Sequence, residues 1–100
     1  PTGNIDPERR YPSMFEPIHG SAFDIMGQGL ANPVGTFWSV VMLLEHLGEA
    51  DAARQLMAAI EQVTANPALH TRDLGGQATT AQVTQAVCTL LAGAPQRQAA

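Results

Sequence analysis

From Phe15 to Pro33 the chain reads Phe-Glu-Pro-Ile-His-Gly-Ser-Ala-Phe-Asp-Ile-Met-Gly-Gln-Gly-Leu-Ala-Asn-Pro, and no other stretch limits the fold as much. Gly20, Gly27 and Gly29 permit turns and close ligand approach that a Cβ would block. Asn32-Pro33 is a helix opening, with Asn at the N-cap and Pro at the first helical position. A polar, glycine-rich loop over residues 19–32, delivered to a helix N-terminus, suits an anionic or polar cofactor.

The rest of the chain arranges itself around that loop. Residues 1–12 are rich in Pro, Arg, Asp and Glu and read as an exposed opening loop. Ser13 to Ile18 suits a short strand, which Pro17 confines to an edge or an end. The first helix is expected from Pro33 to about Leu47, with Phe37, Val40, Val41, Leu44 and Leu47 at helical spacing. Trp38 and Leu43 widen its apolar face, so cover is expected on both sides. Gly48 fits the residue just past the helix end. A second helix over 49–65 carries an apolar stripe of Ala52, Leu56, Ile60 and Val63, with Glu49 and Asp51 favouring its N-terminus. Asn66-Pro67 stops it. A second loop over 67–78 closes on Asp73-Leu74-Gly75-Gly76. Thr79 and Gln82 match a capping box. The third helix runs to about Leu91 with Val83, Val87, Leu90 and Leu91 inward. It ends at Gly93-Ala94-Pro95, and residues 96–100 are expected to fray.

One hundred residues allow one small domain. A hydrophobic content of 45% and a charged content of 14% are those of a globular chain. The net charge of −4 with scattered basic residues argues against a nucleic-acid surface. The longest apolar run, Val40 to Leu44, is far short of the roughly 20 residues that span a bilayer. The polar start has no signal-peptide pattern. A single cysteine, Cys88, cannot form an internal disulfide, which points to a reducing, cytoplasmic setting. Its helix-period apolar neighbours predict a small core residue.

Several motifs have a plain and a chemical reading. Glu16-Pro17-Ile18-His19 spells E-x-x-H, a spacing that can put two metal ligands on one helix face. Pro17 and Gly20 oppose a helix there, so no metal ligand is assigned. Gly27-Gln28-Gly29 is not a dinucleotide phosphate loop, because Asn32 replaces the third glycine. Asp24 is either a turn former or a carboxylate that accepts both hydroxyls of an adenosine ribose and repels a 2′-phosphate. On residue type alone, His19 reads as a surface histidine and Asn32 as a helix cap.

The same run resembles the signature of the β-decarboxylating dehydrogenase family, roughly E-P-x-H-G-S-A-P-D-I-x-G-x-x-x-A-N-P, with Phe23 in place of the usual proline. The family includes isopropylmalate, isocitrate, tartrate and D-malate dehydrogenases. Asn4 to Phe15 is similar to the tartrate and D-malate branch, and Thr71-Arg72-Asp73-Leu74-Gly75-Gly76 resembles the family turn before the last helix. The resemblance runs to about Leu91. It implies the C-terminal piece of an α/β, isopropylmalate-dehydrogenase-like fold, mostly helical here with a short strand and a glycine-rich cofactor loop. Residues 1–95 would form the NAD-binding portion of the larger of two domains.

The resemblance also implies roles. His19 lies beside the adenine, the backbone of Gly20, Ser21 and Ala22 lines the dinucleotide, and Asn32 meets the adenine. Asp24-Ile25 stands where NADP-using relatives carry Lys-Tyr. Glu16 lies toward the nicotinamide end, and the Asp73 loop near the adenosine end. The parent enzyme would be a cytoplasmic homodimer that oxidises, and often β-decarboxylates, a 2-hydroxy dicarboxylate such as tartrate or D-malate. Its cofactors would be NAD and Mg²⁺ or Mn²⁺. Substrate arginines, a proton-moving lysine and tyrosine, and metal-binding aspartates are expected upstream of Pro1, so no catalytic or metal residue is assigned and the piece alone is expected to be inactive. Two alternatives stay open: a 3-isopropylmalate dehydrogenase segment, or a non-catalytic helical module that binds a partner around Phe37 and Trp38.

Overall fold

The computed structural model describes residues 1–93. In chain order it has strands β1 (Thr2–Asn4) and β2 (Met14–Glu16) and helices α1 (Val34–His46), α2 (Ala50–Thr64) and α3 (Thr80–Gly93). Short 3₁₀ turns at Pro67–Leu69 and Arg72–Leu74 join α2 to α3. The described chain is therefore mostly helical with one two-stranded sheet. The expected end of α3 at Ala94-Pro95 and the frayed tail at 96–100 lie outside the described residues.

β1 falls inside the stretch expected to be an open loop. It pairs antiparallel with β2, with Gly3 opposite Phe15. A Cβ on Gly3 would come within 2.9 Å of the Phe15 ring and 3.2 Å of Met42 in α1. The glycine thus leaves room for Phe15 to lie across the hairpin, where its ring meets His46 at a centroid distance of 5.5 Å. Asp6 organises the connection, its carboxylate accepting from the backbone N–H groups of Tyr11 (2.7 Å), Glu8 (3.2 Å) and Arg10 (2.8 Å). The Tyr11 N–H does most to hold the Asp6 pKa below its ordinary 3.8; desolvation opposes it, and the Glu8 and Arg10 bonds add to it. Arg9 then donates to the His46 carbonyl at 2.8 Å, satisfying one of the free carbonyls at the end of α1.

The helix boundaries follow local chemistry. Pro33 already has helical angles, its carbonyl accepts from Phe37 N–H at 3.1 Å, and Asn32 Oδ1 accepts from Val34 N–H at 3.0 Å. Asn32 therefore supplies the capping side chain. At the other end Gly48, at φ +80°, donates to Glu45 and Glu49 donates to Leu44 at 2.8 Å. This is the paired bonding of a Schellman motif. Asn66 accepts from Ala68 N–H at 3.1 Å where α2 gives way to the first 3₁₀ turn. Thr79 and Gln82 exchange their capping-box bonds at 2.8 and 3.1 Å.

The core gathers on α2, which packs against both α1 and α3. Val41 of α1, five residues of α2 (Ala53, Leu56, Ala59, Ile60, Val63), then Ala78, Val83 and Val87 are buried. Phe37, Leu44, Leu90 and Leu91 pack against them. Three expectations need correction. Ala52 is exposed and Ala53 takes its place in the stripe, because alanine is too small to declare a face and the two neighbouring helices choose it. Cys88 is exposed: one residue past Val87, it is rotated about 100° away from α2. Trp38, Val40, Leu43 and Leu47 are exposed, Trp38 at 44%. Val40, Leu43 and Leu47 lie within about 60° of one another on one side of α1 and Trp38 on roughly the opposite side, so the described residues leave apolar surface open on both.

Candidate functional site

Residues 17–33 contain neither helix nor strand. Five of them adopt the left-handed region: Ile18, Gly20, Ala22, Gly27 and Gly29. Ile18, at φ +54°, is the centre of a γ-turn in which His19 N–H donates to the Pro17 carbonyl at 2.8 Å. A β-branched residue in that conformation is strained, and strain of this kind gathers at binding sites. The next turn is closed by Ile25 N–H donating to Ala22 at 3.0 Å, and the Gln28 side chain donates to the Asp24 carbonyl at 3.0 Å. Ala22 has φ +46°. A following proline would push it toward extended backbone, so Phe23 permits a conformation that the family's usual proline opposes. The Phe23 ring itself is exposed.

The segment bends so that Pro17 and His19 lie against the first turn of α1. A Cβ on Gly35 would stand 3.3 Å from Pro17 and 3.6 Å from the His19 ring. His19 Nδ1 lies 3.0 Å from the Gly20 carbonyl. A carbonyl only accepts, so that nitrogen carries the proton, leaving Nε2 an acceptor in the neutral ring. Glu16 belongs to β2 and His19 to a bend, so the two do not share a helix face.

The loop between α2 and α3 meets this segment from the other side. Gly76 passes under His70, where a Cβ would fall 2.0 Å from the His70 carbonyl oxygen. His70 Nε2 in turn lies 2.7 Å from the Thr64 carbonyl at the end of α2. Thr71 is fully buried, and its hydroxyl donates to Asp73 Oδ1. Asn32 Nδ2 donates to Asp73 Oδ2 at 3.1 Å. Partial burial pushes the Asp73 carboxyl up. The Thr71 hydroxyl, the Asn32 amide and the N–H groups of Asp73 and Leu74 outweigh that and hold its pKa below the ordinary 3.8. Thr80, the first residue of α3, donates its N–H to the Gly29 carbonyl at 2.9 Å and its hydroxyl to the Ala31 carbonyl.

Between these walls lies a cavity of about 500 Å³, within the range of small-molecule sites. Six of the seven residues expected from the sequence line it: His19, Gly20, Ser21, Ala22, Ile25 and Asn32. Asp24 does not. It is exposed on the turn beside the cavity, and its carboxylate makes no hydrogen bond among the described residues. Met26, Leu30 and Thr80 also line the cavity. Sequence reasoning passed over them because their types carry no distinctive chemistry, and Thr80 is 49 residues from the carbonyl it binds. A groove of about 560 Å³ between α2 and α3, edged by Gln62, Gln82 and Gln85, has no titratable lining residue. The chemistry therefore favours the smaller cavity. Among the described residues no group of three or more His, Cys, Asp or Glu side chains is placed to hold a metal ion. None of the helices described is long and apolar enough to cross a membrane.

Comparison with known proteins gives this geometry its context. The profile of the isocitrate/isopropylmalate dehydrogenase family matches residues 1–87. A probable tartrate dehydrogenase/decarboxylase of Agrobacterium vitis is 65% identical over 93 residues, 93% of this chain and 26% of that protein. A probable tartrate dehydrogenase/decarboxylase of Bacillus subtilis is 53% identical over 91 residues, 91% of this chain and 25% of that protein. A decarboxylating D-malate dehydrogenase of Escherichia coli is 46% identical over 96 residues, 91% of this chain and 26% of that protein. The chain thus spans about a quarter of the length of the curated relatives it matches.

Proposed function

This chain belongs to the isocitrate/isopropylmalate dehydrogenase family, and on that premise we propose that it forms the adenosine-side NAD-binding portion of a dehydrogenase acting on a 2-hydroxy dicarboxylate such as tartrate or D-malate. The observation that carries the reading is the convergence of His19, Gly20, Ser21, Ala22, Ile25 and Asn32 on one cavity. NAD, when bound, supplies the acceptor for the hydride removed from the hydroxyl-bearing carbon.

The residues present fit that cofactor's adenosine half. Ile25 and Leu30 offer apolar walls. The small residues Gly20, Ser21 and Ala22 let the backbone approach a ligand closely. His19 keeps Nε2 as an acceptor and Asn32 keeps an amide N–H, so both senses of hydrogen bond are available to a purine. The Asp24 carboxylate accepts ribose hydroxyls and repels a 2′-phosphate, which favours NAD over NADP. Because no metal-ligand group is present among the described residues, no step through a metal is derived for this segment. We place the proposed Mg²⁺ or Mn²⁺ ligands, and the groups that move protons, in the remainder of a homodimeric parent.

The test is steady-state kinetics of the complete enzyme carrying this segment, with tartrate and D-malate, Mn²⁺, and each nicotinamide cofactor. NADH formation with a higher kcat/KM for NAD than for NADP is expected. A preference for NADP would remove Asp24 from the site.

A further inference from the structure

We propose that Asp73 and Thr80 are positioning residues for the cofactor site, acting through Asn32 and the backbone of residues 29–31; the inference rests on the NAD reading above. The amide of Asn32 has one acceptor and two donors. Its Oδ1 accepts from Val34 N–H at 3.0 Å, and one hydrogen of Nδ2 goes to Asp73 at 3.1 Å. A flipped amide would set its oxygen against a carboxylate and its NH₂ against an N–H. Asp73 therefore fixes which end of Asn32 caps α1, and with it the direction of the remaining N–H at the cavity. Both Asp73 oxygens already accept a bond inside the protein, one from Thr71 and one from Asn32. The carboxylate thus holds both neighbours from the wall of the cavity, which Asp73 itself lines.

Thr80 completes the hold. The first N–H groups of a helix lack partners within it, and that of Thr80 is satisfied by the Gly29 carbonyl at 2.9 Å. Its hydroxyl takes the Ala31 carbonyl, one residue before Asn32. The backbone bonds internal to the segment end with Gln28 N–H to Ile25. Beyond that point the residues leading to Asn32 are held by bonds from residues 73 and 80, so the site is set before a ligand arrives.

A double-mutant cycle in the complete enzyme tests this. Asp73→Ala and Asn32→Ala are each expected to raise KM for NAD about tenfold, the scale of one lost hydrogen bond, with kcat within about twofold. The double variant should be no worse than Asn32→Ala alone. Asp73→Asn keeps an acceptor for Asn32 and an amide for Thr71, and should stay within about threefold of the unsubstituted enzyme. Additive losses, or Asp73→Asn as damaging as Asp73→Ala, would overturn the inference while leaving the NAD reading intact. If Asp73→Ala does not fold, Thr80 decides: Thr80→Val should raise KM for NAD and Thr80→Ser should restore it, and equal behaviour of the two overturns the proposal. An unsubstituted enzyme that binds no NAD overturns both the site reading and the inference.

Discussion

Helix α2 and residues 17–33 are built in opposite ways. α2 buries five side chains and closes its own backbone hydrogen bonds. Residues 17–33 bury no side chain fully, hold five left-handed residues, and depend on α1 and on residues 71–80 for their shape. The first is kept in place by apolar area removed from water. The second is kept by a few directed polar contacts, which leave side chains and backbone groups accessible. Substitutions in the two regions should therefore separate stability from ligand affinity.

The largest effect belongs to the core. Val83 is 1% exposed, and Val83→Asp should destabilise the complete enzyme by about 4 kcal/mol or more, since it buries an unpaired carboxylate. Chemical denaturation reads this directly; a loss below about 1 kcal/mol would show that α3 is not anchored there. Gly76→Ala comes next. Its Cβ would meet the His70 carbonyl, which backbone cannot easily yield, at a cost of about 1–3 kcal/mol. Because the Asp73 turn hangs on this crossing, both the unfolding midpoint and the NAD affinity should fall. A change in the midpoint alone would separate the crossing from the site.

Asp24→Ala reverses the pattern. NAD binding should weaken by about 1–3 kcal/mol while stability stays within about 0.5 kcal/mol, as calorimetry and thermal melts would record. Equal losses in both would mean that the comparison between core and segment does not hold. The smallest effect is on acid stability. The Asp6 and Asp73 carboxylates have folded pKa values below the ordinary 3.8. Each contributes stability that is fully present above that value and is lost as pH falls through the lowered folded pKa. Melts of Asp6→Asn and Asp73→Asn should therefore depend less on pH below about 4 than those of the unsubstituted protein; unchanged acid sensitivity would show that other groups carry it.

Much of the architecture was legible because the rules that produce it are local. The Asn32 cap, the Gly48 helix end, the Asn66 stop and the Thr79–Gln82 box each involve partners no more than five residues apart. Six of the seven expected residues gather at one cavity because a single glycine-rich run holds them, while Asp73 and Thr80 reach the same cavity from outside that run. β1 was not: Gly3 pairs with Phe15 across a connection that looks like open loop, and only the Phe15 ring on α1 gives the pairing a reason. The facing of Ala53 in place of Ala52, and the exposure of Cys88, depended on which helices lie alongside.

By itself, then, the sequence determined where helices start and stop and which stretch concentrates the glycines and polar residues that line the cavity. Those outcomes follow from backbone hydrogen-bonding groups that must find partners within a few residues. Tertiary structure alone decided that Asp73 would grip Asn32 from 41 residues away and that Thr80 would grip the Ala31 carbonyl from 49. A hydrogen bond between distant residues leaves no spacing in the chain; it exists only where packing of α2 on α1 and α3 brings the two loops together.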